Sequence, residues 1–191
     1  MRKRADRKKG AKYGLVIDAD IARAAGEATD PASESCLCRM MLDVVRGSQL
    51  RLVMSEDTTQ QWDYHRSGYA RKWLSAMVRL ERVEAVPVEH DSRLRRYLLL
   101  RAGNAEDRRL AARNDVHLLE AALATDNRIL SKERIAREFF STCSEGMRKL
   151  GPILWANPCR PEDRTCDWLR CDAPDEPGRR LMAFRETKAE Q

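Results

Sequence analysis

Five short apolar runs punctuate the chain, at residues 14–17, 50–54, 83–88, 129–131 and 153–155. Each has the length of a strand, and none shows the polar–apolar alternation of a strand with one wet face. Between them lie stretches whose apolar residues recur at close to 3.6 positions: 36–45, 62–80, 94–100, 116–124 and 135–140. Helix and strand in alternation, with strands apolar on both faces, predict an α/β domain. The expected architecture is three-layer, α/β/α, with a central parallel sheet of four to five strands. Beyond Pro158 the pattern loosens: charges crowd around Pro161, Pro174, Pro177 and Gly178, and the apolar anchors are Trp168, Leu169, Leu181, Met182 and Phe184. The predicted organisation is therefore a basic arm over residues 1–12, a domain over 13–158, and an extension over 159–191 that wraps the domain or is partly disordered.

Composition narrows the class. A chain of 191 residues suits one domain with a substantial core. With 42% hydrophobic and 35% charged residues it is neither wholly disordered nor a membrane protein. No apolar run approaches the roughly 18 residues of a spanning helix. Residues 14–17 are too short for a secretory core, so the expectation is a cytoplasmic protein. The net charge of +6 is local, because residues 1–12 hold seven bases against Asp6 alone and the remaining 29 bases and 29 acids balance. Such an arm is a solvated terminus or a phosphate-contacting one. Six cysteines do not make a disulfide framework in a chain of this kind. Cys36 and Cys38, and Cys159, Cys166 and Cys171, lack the spacing of zinc knuckles, and the expectation is ordinary reduced thiols.

Candidate chemistry follows from the strand ends, since parallel sheets bind ligands beyond the carboxyl ends of their strands. The first run ends in Asp18-Ala19-Asp20, the second in Ser55-Glu56-Asp57 and the fourth in Ser131-Lys132-Glu133. Carboxylates gathered on one edge repel one another unless they are spread apart or a divalent cation offsets the repulsion. Hard oxygen ligands of this sort suit Mg²⁺ or Mn²⁺ better than zinc. Asp115 is the most informative acid, lying three, four and seven residues before Leu118, Leu119 and Ala122 and so on the apolar stripe of its helix. The helix dipole accounts for an Asp in a first turn, but not for one on the buried face.

These segments, in this order, resemble PIN-domain nucleases, a group that includes the VapC-type toxins. Residues 16–21 are similar to the opening strand and first acid of that family. Asp115 followed by a Leu/Ala-rich helix looks like the third acid, and residues 129–133 look like the strand in which a Ser or Thr precedes the fourth acid by two positions. The resemblance covers about residues 11–158. It implies a metal-dependent endoribonuclease in which Mg²⁺ or Mn²⁺ is held by Asp18, Asp115 and Glu133, with Glu56 or Asp57 as the remaining acid and Asp20 as a compensating ligand. Hydrolysis of RNA would leave a 5′-phosphate and a 3′-hydroxyl. Two positions depart from the family pattern. The fourth acid is Glu133, not Asp, and the register of the second acid falls on Gln60 and Gln61, so Asp57, or else Glu56, is expected to substitute.

Other residues take supporting roles. Arg95, Arg96, Arg109 and Arg113 belong to an arginine-rich run before Asp115 that contacts RNA phosphates or forms a solvated helix face. Ser131 orients a carboxylate or water, or caps the following helix, and Asp20 has a similar capping alternative. Trp62, Tyr69 and Trp73 are expected in the core, with His65 structural or a proton shuttle. The partners implied are RNA, an antitoxin or other protein, and a second copy of the chain, with no membrane. The alternatives are a catalytically weakened PIN-like module that binds RNA or protein, and an Asp-x-Asp phosphotransfer enzyme with Asp18 as nucleophile. The latter lacks a Lys-centred phosphate motif at the expected place.

Overall fold

The computed structural model describes residues 13–26 and 29–184; the basic arm 1–12 lies outside them. The apolar runs become β1 (Gly14–Ile17), β2 (Arg51–Met54), β3 (Val83–Ala85), β4 (Arg128–Leu130) and β5 (Leu154–Ala156). They form one parallel sheet in the order β3-β2-β1-β4-β5. Successive side chains leave opposite faces of a strand, and both faces are dry along β1, β4 and β5, whereas the edge strand β3 is only partly covered. Leu15, Ile17, Leu52, Met54 and Leu130 enter one core, while Val16, Val53, Ile129 and Trp155 enter the other. The molecule is thus three-layer α/β/α, as the periodicity predicts.

The first core is roofed by α1 (Ala19–Ala24), α2 (Glu34–Gly47), α3 (Glu56–His65) and α4 (Gly68–Arg79). The second is roofed by α5 (Ser92–Ala102), α6 (Glu106–Asn114), α7 (Val116–Ala124) and α8 (Arg134–Ser144). The helical stretch expected over 62–80 is two helices. Arg66 ends α3, and the Ser67 side chain accepts from the Ala70 N–H to start α4. Trp62 and Trp73 are both core residues, as expected. Their indole N–H groups donate to the Ile17 carbonyl (2.8 Å) and the Leu42 carbonyl (2.6 Å).

In the extension, α9 (Thr165–Arg170) places Trp168 and Leu169 in the first core, and Leu181 joins the second. Arg128 on β4 donates to the Ala173 carbonyl at 2.7 Å. Residues 159–184 therefore pack onto the domain; residues 185–191 lie outside the described ones. No helix among the described residues is long and apolar enough to cross a membrane.

Candidate metal centre

Strand order positions the site. The chain adds β2 and β3 on one side of β1, then returns to add β4 and β5 on the other, so the crevice at the carboxyl ends opens between β1 and β4. Ile17 and Leu130 are partners in register, and the Asp18 N–H donates to the Leu130 carbonyl at 2.9 Å. That contact puts Asp18 beside Ser131. The Ser131 hydroxyl donates to Asp18 Oδ2 at 2.6 Å and accepts from the Glu133 N–H at 3.1 Å. One hydroxyl thereby fixes the Asp18 carboxylate and the backbone of Glu133. The helix-capping alternative expected for Ser131 is not realised, because α8 starts at Arg134 with Glu133 as its cap residue and no side-chain cap bond. Asp18 Oδ1 also accepts from the Asp20 N–H at 3.2 Å, so Asp18, not Asp20, caps α1. The loop after β4 is tied from behind: Trp155 Nε1 donates to the Ser131 carbonyl (3.3 Å), and Asn157 Nδ2 to the Lys132 carbonyl (3.0 Å).

Asp115 comes from the other side. It is the joint between α6 and α7, ending one helix and starting the next at φ −108°, ψ −4°, and its carboxylate caps neither. A residue placed only for helix-end electrostatics would bond the backbone N–H groups two or three positions on. Instead the side chain lines a cavity of about 460 Å³ together with Asp18, Asp20, Asp107 and Glu133.

The electrostatics of this cavity are dominated by burial and by mutual repulsion of its carboxylates. Burial, and then the charges of Asp18, Glu133 and Asp20, push the Asp115 carboxyl up to about 8. Glu133 rises to about 7, first through a hydrogen bond shared with Asp20, then through burial. Burial raises Asp18 as well, against the bonds from Ser131 and the Asp20 N–H. Carboxylates crowded and desolvated in this way either keep protons or hold a cation, and an all-oxygen set fits Mg²⁺ or Mn²⁺.

Asp57 and Glu56 do not belong to this cavity. They sit in the first turn of α3, which starts at the end of β2, whereas the crevice lies beyond β1. The face of α3 that lines it presents Gln61 and His65. Asp57 lies one turn earlier and faces His90 Nε2 at 3.1 Å. Asp57, His90 and Glu120 bring ligand-type atoms within 4.8 Å of one another. Arg95 is the cation there, donating through Nε and NH2 to buried Glu120 at 2.9 and 2.7 Å and lying 3.6 Å from Asp57. Glu56 is exposed and accepts from Gln60 Nε2 at 3.4 Å.

Of the arginines expected to meet substrate, Arg95 is held by Glu120 and Arg109 donates to the Gly103 carbonyl at 3.2 Å. Arg96 and Arg113 are exposed; Arg113 lines a hollow of about 290 Å³ that shares Gln61 and Asn114 with the acidic cavity. Asp20 stands at the cavity rim, paired with Arg23 at 2.8 Å. His65 is exposed on the cavity wall, not packed in the core. The residue that sequence reasoning missed is Asp107. It begins a stripe at 107, 110, 111 and 114 on α6, and that spacing was available in the sequence.

No family model, curated protein or solved structure gives a significant match to this chain.

Proposed function

We propose that this protein is a metal-dependent endoribonuclease of PIN type, with Mg²⁺ or Mn²⁺ held by Asp18, Asp115 and Glu133 and with Asp20 at the rim. One observation carries the reading: carboxylates from three separate segments converge on one cavity, and two of them are displaced to about 8 and about 7 by burial and by one another. A divalent ion there would supply charge neutralisation at a scissile phosphate and a lowered pKa for the attacking water. The residues prepare that chemistry. Ser131 holds Asp18 and the backbone of Glu133 in place, and Asp115 is left without a capping partner. Gln61 and Asn114 offer amide groups at the passage toward Arg113.

The test is incubation of single-stranded RNA with the purified protein and Mn²⁺, beside the Asp115→Asn variant. The expected result is chelator-sensitive cleavage that falls at least about 100-fold in the variant, because a ligand and its charge are both lost. Cleavage by both proteins, or by neither, refutes the enzyme. Gln61 on the cavity wall favours a second reading, a weakened module of the same type that binds RNA without cutting it. RNA binding with no cleavage by either protein selects that reading.

A further inference from the structure

Outside the acidic cavity, the extension brings a thiol to a thiol. Cys38 on α2 is fully buried, and its Sγ lies 3.9 Å from the Sγ of Cys159, 121 positions along the chain. Cys159 follows β5 in a turn held by its own N–H, which donates to Asn157 Oδ1 at 2.8 Å. The same Asn157 side chain reaches the Lys132 carbonyl at 3.0 Å, next to Glu133. Lys132 in turn pairs with Glu34, at the start of α2, at 3.0 Å. Of the four remaining thiols, Cys36 meets the Arg39 guanidinium at 3.7 Å, Cys143 is buried in the opposite core, Cys166 is half-buried against the same core as Cys159, and Cys171 is exposed.

We propose that Cys38 and Cys159 form a reversible disulfide that staples the extension to α2 behind the loop carrying Glu133. A disulfide needs the sulfurs at about 2.05 Å. From 3.9 Å the sulfurs have to approach by roughly 2 Å to bond. Cys159 is the half-buried partner and the point of entry for an oxidant of the low-molecular-weight disulfide class. Its thiolate attacks one sulfur of R–S–S–R, forming Cys159–S–S–R and releasing RS⁻. The Cys38 thiol gives up its proton, its sulfur displaces the second RS⁻ from Cys159, and the two protons end on the two RSH products. The protein is oxidised by two electrons and R–S–S–R is reduced by two. The proposal does not depend on the nuclease reading.

The experiment treats the full chain with oxidised glutathione, digests it without reductant and maps linked peptides by mass spectrometry. The expected result is a Cys38–Cys159 cross-link with the loss of two hydrogens, reversed by dithiothreitol. Closing a loop of this length should raise Tm by roughly 10–20 °C, less any strain. Cys38→Ala and Cys159→Ala should each abolish both changes, and amide exchange at Lys132 and Glu133 should slow only in the oxidised wild type. Glutathione adducts alone, or a bond from Cys159 to Cys36 or Cys166, would overturn it, as would a Cys38–Cys159 bond that leaves Tm unchanged.

Discussion

Ser131 joins the two halves of the acidic cavity through one hydroxyl. It is fully buried, donates to Asp18 and accepts from the amide of Glu133. Removing the hydroxyl leaves a buried carboxylate oxygen and an N–H without that partner, a cost of about 1–3 kcal/mol. Ser131→Ala should therefore unfold at lower urea and bind Mn²⁺ about 10–100-fold more weakly, the range for residues that orient ligands; Ser131→Thr should restore both. Calorimetric titration decides it, and unchanged Mn²⁺ affinity in the alanine variant would remove Ser131 from the site. Asp115 makes a separate pH prediction. Its carboxyl titrates near 8 in the fold, against the usual carboxylate range in the unfolded chain. Without metal, the folded state keeps a proton that the unfolded state loses, so stability falls as pH rises from roughly 4 to 8. Mn²⁺ has to displace that proton. Its affinity should climb by up to about tenfold per pH unit for each proton displaced, levelling off above about pH 8. Titrations in two buffers of different ionisation enthalpy should show proton release at pH 7, and Asp115→Asn should make the apo stability profile shallower, leaving the slope that Glu133 contributes. Equal heats in both buffers would contradict this.

Helix register explains which acids the sequence could identify. Asp18 and Glu133 follow strands that are apolar on both faces, and Asp115 precedes a helix buried almost all round, so each was anchored by a strong hydrophobic signal. The second wall was harder. Helix α3 buries only Thr58 and Trp62, a thin stripe that leaves its rotation unspecified from sequence. What sets it is a tertiary bond, the Trp62 indole on the Ile17 carbonyl, which turns Gln61 into the cavity and leaves Asp57 a turn away with His90 and Arg95. Helix α6 gives a weaker signal for a related reason: charges dominate its nine residues and only Ala111 and Ala112 are buried, so the stripe carrying Asp107 is masked by the charges around it. The register has a direct test. Gln61→Glu should add a ligand-type group to the cavity and tighten Mn²⁺ binding, by about tenfold if it reaches the ion. Gln60→Glu, one position round the helix, should leave the affinity unchanged. The reverse ranking would show that α3 is rotated from the orientation described above.

At the scale of the molecule, the acidic cavity and the basic arm set opposing demands. The anchors named for the extension, Trp168, Leu169 and Leu181, are buried as expected, while Met182 stays more than half exposed. With the extension packed on the domain, residues 13–191 are formally neutral, and the whole +6 resides in residues 1–12. A neutral body whose cavity gathers five carboxylates repels a polyanion, so the RNA substrate proposed above would have to be drawn by cations elsewhere. The two sources to separate are the arm and exposed Arg113, which borders the hollow adjoining the cavity. They act over different ranges. Arm charges should strengthen binding to any single strand, with affinity falling as salt rises by about 0.7 log units per log unit of salt for each phosphate contact. Deleting residues 1–12 should therefore flatten the salt dependence by several such contacts, with the Mn²⁺ dissociation constant unaltered. Arg113→Ala should remove about one contact's worth of slope but impair cleavage more than binding, because it stands beside Asn114 and Asp115. Anisotropy with a fluorescent single strand at several salt concentrations, paired with cleavage rates at saturating RNA, separates the two. A deletion that leaves the salt slope intact would mean that the arm contacts no phosphate, and that the charge drawing RNA lies on the folded surface.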